Sequence, residues 1–151
     1  MTIHIHAEVD TDLPPDTIRA AVLDFTDRRL EIWEKTLDPK TYEVHWVDET
    51  SAEVTEGSAR PFVWSRERYD WSGPTLITWT TQASNFCVPG SHIAMDVVPR
   101  GDGGTRLSVT WERTPSNLKG RLYLGIAALG GRRLLTWATK QALGNIRAAL
   151  G

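Results

Sequence analysis

His92–Arg113 reads HIAMDVVPRGDGGTRLSVTWER, and this stretch decides the fold. Apolar and polar residues alternate on both sides of Gly101-Asp102-Gly103-Gly104, the period-two pattern of a β-hairpin with one buried face. Directly paired residues share a face, so loop length selects which side chains turn inward. A two-residue Asp102-Gly103 turn would set Trp111 opposite Ala94 and Leu107 opposite Val98. A three-residue loop, Asp102 to Gly104, instead pairs Met95 with Trp111 and Val97 with Val109. It gathers Ile93, Met95, Val97, Leu107, Val109 and Trp111 on one face, and its extra glycine suits the left-handed position such loops need. That register is preferred, and it turns His92, Asp96, Arg106 and Glu112 to solvent.

Downstream, Thr114-Pro115-Ser116-Asn117 leads into a long helix with Leu118, Leu122, Ile126, Leu129, Leu134, Trp137, Gln141 and Ile146 roughly on one stripe. Gly125, Gly130 and Gly131 loosen or bend its middle. Upstream, β-favouring segments at Thr41–Val47, Ala52–Gly57, Phe62–Trp71 and Leu76–Thr81 are divided by turn residues. With the His92–Arg113 hairpin they form an antiparallel meander. Before them, Ile3, Ile5, Ala7 and Val9 alternate with His4, His6, Glu8 and Asp10, a half-buried first strand. Leu13-Pro14-Pro15-Asp16 opens a short helix to about Asp24, and a second runs from Arg28 to Glu34 before Leu37-Asp38-Pro39 breaks it.

The 151 residues, 40% hydrophobic and 24% charged, suit one domain over 1–151, with no repeats or linker-like runs. Cys87 is the single cysteine, which excludes an internal disulfide and a thiolate-rich zinc site. Met1–Asp10 lacks the basic start and apolar block of a signal peptide, so a cytoplasmic location is expected. Leu122–Gly131 is about half the roughly 20 residues that span a bilayer, so no membrane insertion is expected. A net charge of −2 argues against nucleic acid as a partner. Residues 1–56 hold fourteen of the nineteen acids, whereas from Thr114 onward there are none, against Lys119, Arg121, Arg132, Arg133, Lys140 and Arg147. The plain reading is that this basic segment packs beside acidic ones rather than meeting an anionic membrane.

The order of elements resembles the START/Bet v 1-like (SRPBCC) superfamily of helix-grip proteins, particularly its polyketide cyclase/dehydrase-like branch. The resemblance rests on the strand Ile3–Val9, the Leu13-Pro14-Pro15-Asp16-Thr17-Ile18 helix entry, Gly103-Gly104-Thr105-Arg106-Leu107 before Thr110-Trp111, and the closing helix from Leu118. It covers essentially the whole chain. It implies an α+β helix-grip fold: a curved seven-stranded antiparallel sheet around a long C-terminal helix, with two short helices after the first strand. Between sheet and helix it implies a cavity for a hydrophobic, lipid-like or polycyclic aromatic small molecule, with no cofactor. Function within the superfamily spans carriers, receptors, cofactor-independent cyclases and an interaction module, and a fold does not choose among them.

Register carried through the other hairpins names candidates. A loop at Asp48 to Thr50 pairs Trp46 with Ala52, Val44 with Val54 and Tyr42 with Glu56. A loop at Ser72 to Pro74 pairs Tyr69 with Ile77 and Glu67 with Trp79, leaving Arg66 and Arg68 outward. Phe62 and Trp64 then fall on the opposite face, so a bulge or a flipped register that brings Arg66 and Arg68 inward is the alternative. Glu56, Glu67 and Tyr69 are the acid–base candidates, since a carboxyl on an apolar wall has a raised pKa. Ligand-binding candidates are Tyr42, Trp46, Trp79, Met95, Trp111, Leu122, Ile126, Leu129 and Trp137. His4 and His6 share an outward face with only His45 as a conceivable third ligand, so no metal site is expected. Cys87 lacks an obvious cationic neighbour in sequence and reads as buried filler rather than a nucleophile. Binding or carriage of the hydrophobic ligand is the leading function, cyclase or dehydrase chemistry the second, and a protein-interaction module the third.

Overall fold

Ile3, Ile5, Ala7 and Val9 are buried while His4, His6, Glu8 and Asp10 face outward, so the opening alternation forms β1 (Ile3–Thr11). A computed structural model describes residues 1–34 and 37–150; Lys35, Thr36 and Gly151, the last residue of the expected domain, lie outside the described residues. Proline in the first turn opens α1 (Pro15–Val22), whose Ile18 and Val22 are buried. The second helix is a single turn, α2 (Arg29–Ile32), shorter than expected. Then come β2 (Glu43–Val47), β3 (Ser51–Ser58), β4 (Val63–Asp70), β5 (Leu76–Ser84), β6 (His92–Pro99), β7 (Thr105–Arg113) and α3 (Leu118–Leu150). All seven strands form one curved antiparallel sheet in the order β1-β7-β6-β5-β4-β3-β2, and α3 closes over it in the helix-grip manner.

The β6–β7 hairpin pairs Ile93 with Trp111, Met95 with Val109 and Val97 with Leu107 across a five-residue connection, Arg100 to Gly104. This is two residues away from the expected pairing. A slip of two preserves the face, so the expected inward row is buried, Trp111 only partly. The longer loop is held by Arg100 N donating to Gly104 O at 2.9 Å and by Gly103 at φ 90°. The β4–β5 hairpin makes the same correction, pairing Tyr69 with Trp79 and Glu67 with Thr81. β4 alternates without a bulge of its own, so Val63, Ser65, Glu67 and Tyr69 turn inward while Trp64 stays on the outer face and Phe62 is exposed; the bulge lies on β5, at Gln82. Arg66 and Arg68 face outward, 3.6 and 2.9 Å from Glu53.

Two expectations fail for physical reasons. In the β2–β3 hairpin Val44 pairs with Val54 as expected, but a bulge at His45 sets Trp46 opposite Glu53. Trp46 therefore stands on the outer face, 38% exposed, with the Arg68 guanidinium 5.7 Å from its ring. On α3, Leu122, Ile126 and Leu129 are 61%, 68% and 89% exposed, and Trp137 is 49% exposed. The helix instead buries Gly120, Leu124 and Ala127, then Leu135, Thr139 and Leu143 beyond a break in helical dihedrals at Gly131. Close approach sets this phase: a Cβ at Gly120 would stand 1.9 Å from the Phe86 carbonyl oxygen. Gly120 and Ala127 bring the contact face close beside Leu124, and Leu122, Ile126 and Leu129 are turned away.

Candidate ligand cavity

The concave face and the helices enclose a cavity of about 220 Å³. Trp79, Met95 and Trp111 form apolar wall from β5, β6 and β7, and Glu56, Glu67 and Tyr69 bring polar groups from β3 and β4. Tyr123, Leu135 and Ile146 of α3 close it opposite the sheet. Tyr42, Trp46, Leu122, Ile126, Leu129 and Trp137 are not among its walls. Tyr42 stands just before β2 and donates its hydroxyl hydrogen to the Thr26 carbonyl at 3.4 Å. Trp137 lines a small separate recess with Ile32 and Asn145.

The first polar cluster is built around Arg29, whose side chain is 2% exposed. Its Nε donates to Glu56 Oε1 at 2.8 Å, Nη1 to the Val22 carbonyl at 2.6 Å, and Nη2 to the Tyr69 hydroxyl at 2.7 Å. The guanidinium also lies 4.8 Å from the Phe25 ring centroid. Tyr69 donates in turn to Glu56, 3.0 and 3.1 Å from its two carboxylate oxygens. Burial raises the Tyr69 phenol well above its ordinary value against the opposing pull of Arg29, and Glu56 adds to the rise. At neutral pH this hydroxyl is a donor, not a phenolate base. Burial would favour a neutral Arg29, but Glu56 and Tyr69 outweigh it and hold the guanidinium charged.

The second cluster joins the first on β4, where Glu67 precedes Tyr69 by two residues and shares its face. Three donors converge on Glu67 Oε1: Ser65 Oγ at 2.7 Å, Arg113 Nη1 at 3.1 Å and Thr81 Oγ1 at 3.2 Å. Glu67 Oε2 is buried with no hydrogen-bond partner among the described residues. Arg113 Nη1 also lies 3.5 Å from Cys87 Sγ, which corrects the expectation of a thiol without a cationic neighbour. A buried ion pair offers little net stability over an apolar replacement, so Arg113–Glu67, beside the partly buried Arg29–Glu56 in the same wall, fits a site better than a filled core.

Sequence reasoning missed Arg29 and Arg113. For Arg113 the signal was present, because Leu107, Val109 and Trp111 put residue 113 on the inward row. For Arg29 it was absent: Asp27-Arg28-Arg29 has the look of an exposed charged turn. His4 and His6 face outward and hydrogen-bond Glu112 and Thr110 at 3.0 and 2.8 Å. No group of three or more His, Cys, Asp or Glu able to hold a metal ion occurs among the described residues.

A family model described as "Polyketide cyclase / dehydrase and lipid transport" matches residues 2–151. No curated protein matches the chain. Among solved structures, a protein of Thermus thermophilus is similar at 16% identity and TM-score 0.75, over 98% of this chain and 99% of that one. The Zhui aromatase/cyclase from Streptomyces sp. R1128 is similar at 14% identity and TM-score 0.73, over 100% and 97%. A START superfamily protein from Mycobacterium smegmatis follows at 12% identity and TM-score 0.62, over 97% and 93%. Likeness at these identities is likeness of fold.

Proposed function

Since the chain belongs to the polyketide cyclase/dehydrase and lipid transport family, we propose that its cavity binds a small, largely hydrophobic molecule with one polar end. The observation that carries this reading is an apolar cavity with two arginine–carboxylate clusters in its wall, Arg113–Glu67 buried and Arg29–Glu56 with its carboxylate partly buried. A cavity of about 150 Å³ accommodates benzene. One of about 220 Å³ suits roughly two fused rings or a short branched chain. Trp79, Met95 and Trp111 supply the apolar contact, and Glu67 Oε2 accepts a hydrogen bond from a ligand hydroxyl.

Native mass spectrometry of the purified chain, followed by denaturing extraction, tests this directly. A retained small molecule, or a rise in Tm with naphthols or short branched acids, is the expected result; ligand at about 100 times Kd stabilises by about 2.7 kcal/mol. An empty protein whose Tm is unmoved by such a panel overturns the reading.

Cyclase or dehydrase chemistry is the second reading, favoured by the free lone pairs of Glu67 Oε2, which would accept a substrate proton. Glu67→Gln separates the two: lost turnover with retained ligand affinity supports an enzyme, and unchanged turnover removes Glu67 from the chemistry.

A further inference from the structure

The basic C-terminal helix packs against β1, α1 and α2 of the acid-rich first 56 residues, as expected. Arg147 pairs with Asp12. Among the described residues, however, the side chains of Arg121, Arg132, Arg133 and Lys140 make no hydrogen bond or ion pair. On the part of α3 that precedes the Gly131 break stands an apolar face turned away from the protein. Leu118, Leu122, Ile126 and Leu129 are 71%, 61%, 68% and 89% exposed. At 3.6 residues per turn these four fall within about 80° of arc, with Lys119 at one margin and Arg121 at the other. The opposite side of the same turns, Gly120, Leu124 and Ala127, is buried. Phe62, 55% exposed, extends the patch beside Lys119, whose Nζ lies 5.6 Å from its ring centroid.

Four large apolar side chains in water are unfavourable for an isolated protein and mark a contact surface. Their charge surroundings select the partner. No acid occurs from Thr114 onward, so every charge that α3 itself carries is positive. A second copy of the chain would present fourteen acids in its first 56 residues, yet apolar-to-apolar pairing through this stripe would oppose cation to cation. A helix with leucines on one face and Lys or Arg at the margins fits an anionic lipid surface, where the side chains enter the acyl boundary and the cations meet phosphates. No described helix is long and apolar enough to cross a membrane, so the contact lies in the interface plane.

We propose that the outward face of α3 between Leu118 and Arg133 docks the protein on anionic phospholipid bilayers. The docking face and two cavity-lining residues, Tyr123 and Leu135, then belong to the same helix.

The test is co-sedimentation of the full chain with vesicles of phosphatidylcholine alone and of equimolar phosphatidylcholine and phosphatidylglycerol, at low and high salt. Retention on the anionic vesicles that weakens with salt is expected, and Leu122→Ser with Leu129→Ser, or Arg132→Ala with Arg133→Ala, should each lower it about tenfold or more. All four side chains lie outside the cavity wall, so Tm and ligand binding should be unaffected. No retention at low salt, equal retention on neutral vesicles, or variants that bind like the parent would overturn docking. A dimer that Leu129→Ser dissociates, with no vesicle binding, would assign the face to a second copy instead.

Discussion

Glu67 and Arg113 show what a buried charge costs and what keeps it in place. Their side chains are 2% and 8% exposed, and each charge is compensated by the other and by Ser65 and Thr81. Arg113→Met leaves a buried carboxylate with hydroxyl partners alone and should destabilise the protein by about 3–5 kcal/mol. Adding Glu67→Leu removes the stranded charge and should recover most of that loss. Urea midpoints at constant m-value read both effects, and a double variant no more stable than Arg113→Met would show that the lost pair is not the source of the penalty. Arg113 was legible in the inward parity of β7. Arg29 was not, because nothing in a one-turn helix announces which of two adjacent arginines turns beneath the sheet's edge.

At the scale of elements, period-two alternation was the durable signal. Slips of two residues in the β4–β5 and β6–β7 hairpins left every side chain on its expected face, so the inward rows were legible though the pairings were not. A one-residue bulge has the opposite consequence, and the one at His45 took Trp46 out of the core. Trp46→Ala should therefore cost about 1 kcal/mol or less, while Trp79→Ala, 9% exposed on the inner face, should cost about 3–5 kcal/mol. Equal losses in chemical denaturation would contradict the bulge. On α3 the stripe through Leu122, Ile126 and Leu129 misled because the close contact at Gly120 sets the phase, which sequence hydrophobicity cannot register. Gly131 adopts φ 50° and ψ −136°, a conformation an L side chain resists, although a Cβ there would meet nothing within 4 Å. Gly131→Ala should lower stability by about 1–3 kcal/mol through backbone strain alone. A loss of the same size from Gly125→Ala, a half-buried position with helical dihedrals and open space for a Cβ, where alanine is the better helix former, would show that the backbone at 131 is not special.

For the molecule as a whole, the three tyrosines tie the packing of cavity and helices to alkaline stability. Burial pushes Tyr42 up to about 12, raises Tyr123, and raises Tyr69 well above its ordinary value. An unfolded phenol loses its proton near pH 10 while these folded ones keep theirs. The folded state then binds more protons than the unfolded state, so stability falls as pH rises above about 10, whereas below that pH the contribution is complete. The slope from one fully buried phenol such as Tyr69 reaches about 1.4 kcal/mol per pH unit. Tyr69→Phe should lose stability at neutral pH, because Arg29 and Glu56 each lose a partner, by about 1–3 kcal/mol. Above pH 10 its stability should fall less steeply than the parent's, so the two curves converge. Urea midpoints across this range measure the slopes, and phenolate absorbance reports whether Tyr69 ionises before or with unfolding. Parallel curves would mean that Tyr69 titrates in the folded protein near its ordinary value, which a hydroxyl enclosed between Arg29 and Glu56 beneath the cavity would not do.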